Sequence, residues 1–231
     1  MDFPIEHNAP KNLKSREPII LASTSPRRKE IAEQMGIPFF SLSPPVDETL
    51  PASMTRGKNT KKAAEYLAVL KALSTAKVLE NPLPGGEIPQ NERSIPVAPM
   101  QKARFIAAAD TLIVFRGKIY GKPETKEEAL SFLSAFSGKT HKVYTGLAVY
   151  NRETETRISC TSVSRVHFAR LTEEEKKSYI ESDEWRDAAG AYKIQGTAQR
   201  FIKRIEGSYS SIMGLPIFEF YEILKKSGYR F

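Results

Sequence analysis

Apolar residues first gather at Ile19–Leu21, a tight run that reads as a short buried strand. Two small hydroxyl residues, a proline and two arginines follow, and then a helical spacing through Ile31 and Met35 that stops at Gly36. Ser25 is a good N-cap, Pro26 suits the first helical position, and Gly36 suits the left-handed residue beyond the last turn. Residues 38–42 read as a second strand and 43–48 as a loop carrying Asp47 and Glu48. From 60 to 80 alanine and leucine dominate and proline is absent, which predicts a long helix. Residues 81–100 are rich in proline and glycine without periodicity, and read as an exposed loop or partly disordered insertion.

The second half alternates hairpins with helices. Residues 105–115 form an apolar strand, and Arg116-Gly117 is a two-residue turn that sets Phe115 opposite Lys118. Counting back along that register puts Thr111 opposite Lys122. Thr125 and Glu128 are spaced as a capping box, opening a helix with Ala129, Phe132, Leu133 and Phe136 on one side and Gly138 at its end. Val143, Thr145, Leu147 and Val149 alternate as a strand, and 157–168 is another whose imperfect alternation marks a bulge. Thr172 and Glu175 form a second capping box, for a helix through Ile180. A turn-rich stretch precedes a strand-like run at 200–205, and Pro216 opens a final helix through Leu224. The expected fold class is α/β with a mixed, twisted sheet, without the steady βαβ alternation of a doubly wound fold. Residues 1–17 read as a flexible extension and 18–231 as a single domain.

Composition narrows the class. Of 231 residues, 40% are hydrophobic and 27% charged, the balance of a soluble globular protein, and no apolar run approaches the ~20 residues of a membrane span. Residues 1–17 carry Pro4 and Pro10 and lack the apolar core of a signal peptide. The single cysteine, Cys160, excludes an internal disulfide, suits a reducing cytoplasm, and in a strand-like run reads as a buried thiol. The formal net charge of +8 favours polyanionic partners, but the basic residues are scattered, which argues against nucleic acid.

Four features carry candidate chemistry. A strand that breaks into a helix start points unsatisfied N–H groups at one spot, and Ser23, Ser25, Arg27 and Arg28 there make either a phosphate site or a capped helix with solvated arginines. Asp110 interrupts an apolar strand, where a carboxylate needs a partner, and the hairpin register offers Lys122. Lys71 shares a helical face with Ala64 and Leu67, a spacing that favours snorkelling at the core's edge over a role in a cleft. His7, His141 and His167 show no zinc-ligand spacing, and dinucleotide, Walker and zincin motifs are absent.

Together the pieces resemble the Maf family of nucleotide pyrophosphatases, over nearly the whole chain from Ile19 to about Leu224. The anchors are Leu21-Ala22-Ser23-Thr24-Ser25-Pro26-Arg27-Arg28, Val46-Asp47-Glu48, Ala109-Asp110-Thr111, Gly121-Lys122-Pro123, Leu133 to Gly138 with His141 and Thr145-Gly146, Ala189-Gly190-Ala191-Tyr192-Lys193-Ile194-Gln195-Gly196, and Ile205-Glu206-Gly207 through Gly214-Leu215-Pro216. The resemblance implies a cytoplasmic enzyme that cleaves a nucleoside triphosphate between its α- and β-phosphates with a divalent cation, magnesium or manganese. It implies a mixed sheet bent into two lobes around a central cleft, as in inosine triphosphatases. It places Asp110 as proton acceptor and Arg27, Thr111 and Gln195 as the specificity residues of the dTTP- and UTP-cleaving branch. A homodimer and a link to arrest of septum formation come with it. Thr24, Ala108, Ala188 and Ser211 depart from the family's usual residues, as does the 81–100 insertion, without removing a catalytic group.

The chemistry of the residues agrees with that expectation. Glu48 and Asp110 would hold the metal, and either could take the proton of the attacking water. Lys71, Lys122, Arg28 and the Ser23–Ser25 turn would neutralise the triphosphate, while Gln195 and Thr111 would meet a pyrimidine edge. Competing expectations are a pyrophosphatase for 7-methyl-GTP or other modified purines, and a non-catalytic nucleotide- or nucleic-acid-binding regulator of division.

Overall fold

The computed structural model describes residues 16–43, 46–55, 59–81, 87–90, 93–96 and 98–231. The extension through residue 15, parts of the 43–48 loop and parts of the 81–100 insertion lie outside the described residues. Arg16 and Glu17, assigned by sequence to the extension, are tied down: Arg16 donates to the Met35 and Gly36 carbonyls and Glu17 accepts from Arg104.

A seven-stranded mixed sheet organises the chain. Strand β1 (Ile19–Leu21) leads through helix α1 (Pro26–Gln34) to β2 (Phe39–Ser41), which lies parallel to β1. Helix α2 (Thr60–Glu80) follows, and then β3 (Glu87–Gln90) and β4 (Arg93–Pro96), which pair antiparallel as a separate hairpin. The reading of 81–100 as aperiodic loop missed that hairpin, because prolines in both strands erase the alternation that signals a strand. Three long strands form the centre: β5 (Phe105–Phe115), β7 (Thr140–Asn151) and β8 (Thr156–Phe168). Strand β6 (Lys118–Tyr120) returns from β5 in the expected register, Phe115 against Lys118, and β9 (Ile202–Glu206) closes the far edge with a bulge at His167/Phe168. Helices α3 (Lys126–Phe136), α4 (Glu173–Glu181), α5 (Tyr209–Met213) and α6 (Ile217–Lys226) complete the chain.

The sequence explains the local choices. α4 has its full capping box, whereas in α3 Thr125 caps Glu128 but the Glu128 carboxylate accepts from the Glu124 N–H. Gly36, at φ 63°, ends α1 with the paired bonds Gly36 N–H to Glu33 and Ile37 N–H to Ala32. The core lies in three clusters. Alanines of α2 (Ala68, Ala72, Ala76) pack on Ile106, Ala108 and Ala148 on one face of the sheet. Ile31 of α1 and Phe220 and Leu224 of α6 pack on Phe105, Ala107, Leu147 and Val149 on the other. A third cluster of Phe132, Phe136, Tyr179, Trp185 and Phe201 builds the second lobe against the distal ends of β5, β7 and β8.

One feature of the register makes a cleft. β1 pairs with β5 only at Ile106 and Ala107, and β6 takes the same edge of β5 only from Ile113 onward. Residues 108–112 therefore have no strand beside them on that edge among the described residues. Asp110 and Thr111 sit in that gap, and as neighbours on a strand they face opposite sides of the sheet.

Candidate active site

The gap opens into a cleft of about 770 Å³ between the lobes. All ten residues singled out from sequence line it: Ser23, Ser25, Arg27, Arg28, Glu48, Lys71, Asp110, Thr111, Lys122 and Gln195. Their pairings differ from the expectation in two places.

Asp110 is only 6% exposed, and its partner is Lys71, whose Nζ lies 2.5 Å from Asp110 Oδ1 and 2.9 Å from Glu48 Oε1. Spacing alone favours snorkelling for Lys71, but the stripe it shares with Ala64 and Leu67 is buried and its ammonium enters the cleft, where the family resemblance expects it. Gly146 accounts for this. It pairs with Asp110 across β5 and β7, and a Cβ there would run into the backbone of Ala64 and Glu65. Lacking a side chain, Gly146 lets α2 settle onto the sheet, and Lys71 stands two turns along the same helix face. Lys122, by contrast, leaves the sheet after Tyr120. Its Nζ lies 3.6 Å from Asp187 Oδ1, with both side chains largely exposed. The hairpin count that put Lys122 beside Asp110 fails because pairing ends at Ile113–Tyr120.

On the opposite face of β5 a guanidinium is clamped. Arg28 donates through Nε to the Gly214 carbonyl (2.8 Å), through Nη1 to Ser23 Oγ (3.2 Å) and through Nη2 to Thr111 Oγ1 (3.4 Å). Arg27 Nε reaches the Met213 carbonyl at 3.4 Å. Both carbonyls come from the end of α5, where Gly214 has φ 116°, and a Cβ there would crowd Arg28 Nε and Thr111 Oγ1. Burial pushes both arginine pKa values below the ordinary range, opposed by Asp187 at Arg27 and chiefly by Asp110 at Arg28. Five basic side chains (Arg27, Arg28, Lys71, Lys122 and Lys193) and three acidic ones (Glu48, Asp110 and Asp187) line the cleft, an excess of positive charge that a phosphate chain would balance. Ser25 takes the N-cap position of α1 without a side-chain capping bond; its N–H donates to Ser23 Oγ instead. The helix start thus lines the cleft with Ser25 Oγ not engaged in capping.

The far wall is the 187–196 segment. Asp187, Gly190 and Ala191 are all left-handed, at φ 57°, 70° and 64°, a concentration of backbone strain beside a cleft. The Gly190 N–H is held by the Gly121 carbonyl at 2.9 Å, which ties this wall to the turn carrying Lys122. Beneath it, the Tyr192 hydroxyl meets His141 Nε2 at 2.8 Å inside an aromatic cage of Phe136 and Phe168. Burial drops the His141 pKa to about 3 and raises that of Tyr192, so the pair is neutral. Cys160, expected to be buried, is only half-buried, and burial raises its pKa to about 11, away from the reactive thiolate form. Asp187, Leu112 and Met213 line the cleft unannounced by the sequence, since only tertiary folding brings them there.

The family model described as Maf-like protein matches residues 18–227. A dTTP/UTP pyrophosphatase of Treponema denticola is 39% identical over 219 residues, covering 92% of this chain and 98% of its own length. Proteins of the same name from Pelotomaculum thermopropionicum (36% identical, covering 91% of this chain and 97% of that one) and Methylobacillus flagellatus (38%, 91% and 92%) are similarly close. The chain belongs to the Maf family. In this Maf protein the departures from the family pattern leave the pairings above in place. Thr24 is exposed, and Ala108 packs with the α2 alanines. Ser211 keeps its Oγ buried without a partner while its carbonyl accepts from Thr145. No helix among the described residues is long and apolar enough to cross a membrane.

Proposed function

We propose that this Maf protein hydrolyses dTTP and UTP to the nucleoside monophosphate and pyrophosphate. The observation that carries this reading is the convergence of opposite chemistries on one gap in the sheet: a buried carboxylate, Asp110, flanked by the ammonium of Lys71 on one face and the clamped guanidinium of Arg28 on the other. A site that merely bound a polyanion would gain nothing from Asp110 and Glu48. The printed names of the relatives support the substrate.

Among the described residues no group of three or more His, Cys, Asp or Glu could hold a metal. Glu48 and Asp110 nonetheless converge on one cationic atom, Lys71 Nζ, at 2.9 Å and 2.5 Å, so an ion held by both carboxylates would take the place of that ammonium and release Lys71 toward the phosphates. That donor set fits a magnesium or manganese ion, which takes one or two carboxylates and completes its shell with water and substrate phosphate oxygens. When bound there, such an ion would neutralise phosphate charge and polarise the phosphoryl group.

The protein's own residues divide the remaining work. Arg27, Arg28 and the first turn of α1 grip phosphate oxygens, and Lys71 and Lys122 add charge that stabilises the departing pyrophosphate. Asp110 accepts the proton of the attacking water as its oxygen bonds to the α-phosphorus and the bridging bond to the β-phosphate breaks. Gln195 and Thr111 face the nucleobase. The same reading carries a cytoplasmic location, where nucleotides and reduced thiols are found, and a homodimer. Pyrophosphate release from dTTP, UTP, CTP, ATP, GTP and 7-methyl-GTP, with magnesium or manganese, tests the assignment. Preference for dTTP and UTP supports it, and release from the methylated purine alone overturns it.

A further inference from the structure

Below the cleft, three hydroxyl and carbonyl groups form a chain whose polarity is fixed. Thr145 Oγ1 lies 2.7 Å from the Ser211 carbonyl, which can only accept, so the single hydroxyl proton of Thr145 is spent on that bond. Thr145 is fully buried and stands directly opposite Thr111 in the β5–β7 register. Their hydroxyls are 3.1 Å apart, and with Thr145's proton committed, Thr111 must be the donor. Arg28 Nη2 also donates toward Thr111 Oγ1. Thr111, which lines the cleft, therefore has no proton left for a ligand and keeps only lone-pair capacity.

From this we infer that Thr145 is a specificity-determining residue: it holds Thr111 as a pure acceptor toward the substrate. An acceptor meets an unprotonated phosphate oxygen poorly, so Thr111 is not part of the phosphate grip despite its contact with Arg28. On the pyrimidine ring the matching group is the imide N3–H of uracil and thymine. Cytosine presents a lone pair at N3, and two acceptors would face each other. The inference rests on the pyrimidine triphosphatase reading and deepens it, by assigning the discrimination against cytosine to a buried residue that touches no ligand. The carbonyl it bonds belongs to α5, the element whose end also orients Arg27 and Arg28, so base and phosphate recognition are anchored on one turn.

The test compares kcat/KM for UTP and CTP in the wild type, Thr145→Val, Thr145→Ser and Thr111→Val. Thr145→Val frees the Thr111 proton, and the UTP:CTP ratio is expected to fall about tenfold or more. Thr145→Ser retains the hydroxyl and restores the ratio. Thr111→Val removes the acceptor and lowers the ratio too, an independent reading should Thr145→Val fold poorly. A loss that scales both substrates alike in Thr145→Val and Thr111→Val overturns the inference, as does a ratio lost equally in Thr145→Ser. Failure of the underlying function reading is distinguishable, because the wild type would then release pyrophosphate from neither nucleotide.

Discussion

Replacing Gly146 by alanine tests how the sheet positions the Lys71–Asp110 pair. The added Cβ would fall inside contact distance of the Ala64 carbonyl and the Glu65 nitrogen, which are backbone atoms and cannot rotate aside. Ordinary van der Waals separation requires α2 to retreat by about 1 Å or more. Lys71, seven residues further on the same rigid helix, moves with it and opens its 2.5 Å contact with Asp110 beyond hydrogen-bond range. Overpacking of this kind costs about 1–3 kcal/mol, and for a chain of this size each kcal/mol lowers Tm by roughly 2–4 °C. A 1 Å misplacement at the reacting groups costs on the order of a hundredfold in rate. Thermal melting and pyrophosphate release on the same preparation read both effects. Phe220→Leu, buried in the cluster on the other face of the sheet, supplies a comparably destabilised control whose kcat should stay near wild type. A Gly146→Ala protein with wild-type Tm and rate would refute the docking argument; equal rate losses in both variants would reduce it to general destabilisation.

Further outcomes follow from named contacts. His141 is neutral when folded, with its pKa lowered from 6.5 to about 3, so between those values the unfolded chain binds one more proton than the native one. Stability should therefore be full above pH 6.5 and decline as pH falls toward 3, by up to about 1.4 kcal/mol per pH unit; denaturant titrations of His141→Gln should lose that slope, and an unchanged slope would contradict it. Arg28→Lys keeps the charge but loses the fork to Gly214, Ser23 and Thr111, and KM should rise about tenfold with a smaller effect on kcat. The exposed Lys122–Asp187 pair is worth less than about 1 kcal/mol, so Asp187→Asn should leave Tm nearly unchanged while removing a negative charge that repels the triphosphate, which lowers KM at low salt and less at high salt.

Much of the fold was legible because its signals are local. The helix at residues 60–80, the Phe115–Lys118 turn, the second capping box and the strand holding Asp110 all rest on spacings within a dozen residues. The partner of Asp110 was not legible. Hairpin counting pointed to Lys122, whereas the cation arrives from Lys71, 39 residues earlier, through a helix docking that depends on Gly146. Short α5 escaped notice, since five residues capped by Ser208 carry no periodic pattern, yet its terminal carbonyls orient both arginines. Asp187 escaped for a similar reason: only tertiary folding brings its strained turn to the cleft. The site's residue types were thus readable from motifs, while the pairings between them were set by long-range packing.

Asp110 is the proposed acceptor of the water proton in the cleavage of a pyrimidine triphosphate. The most direct measurement is steady-state pyrophosphate release from dTTP and UTP with magnesium, wild type against Asp110→Asn, with nucleotide binding measured on both. Rapid release by the wild type is expected, with a loss of a hundredfold or more in kcat for the variant, the size expected for a missing general base, and binding retained. Release within a few-fold of wild type by Asp110→Asn would contradict it.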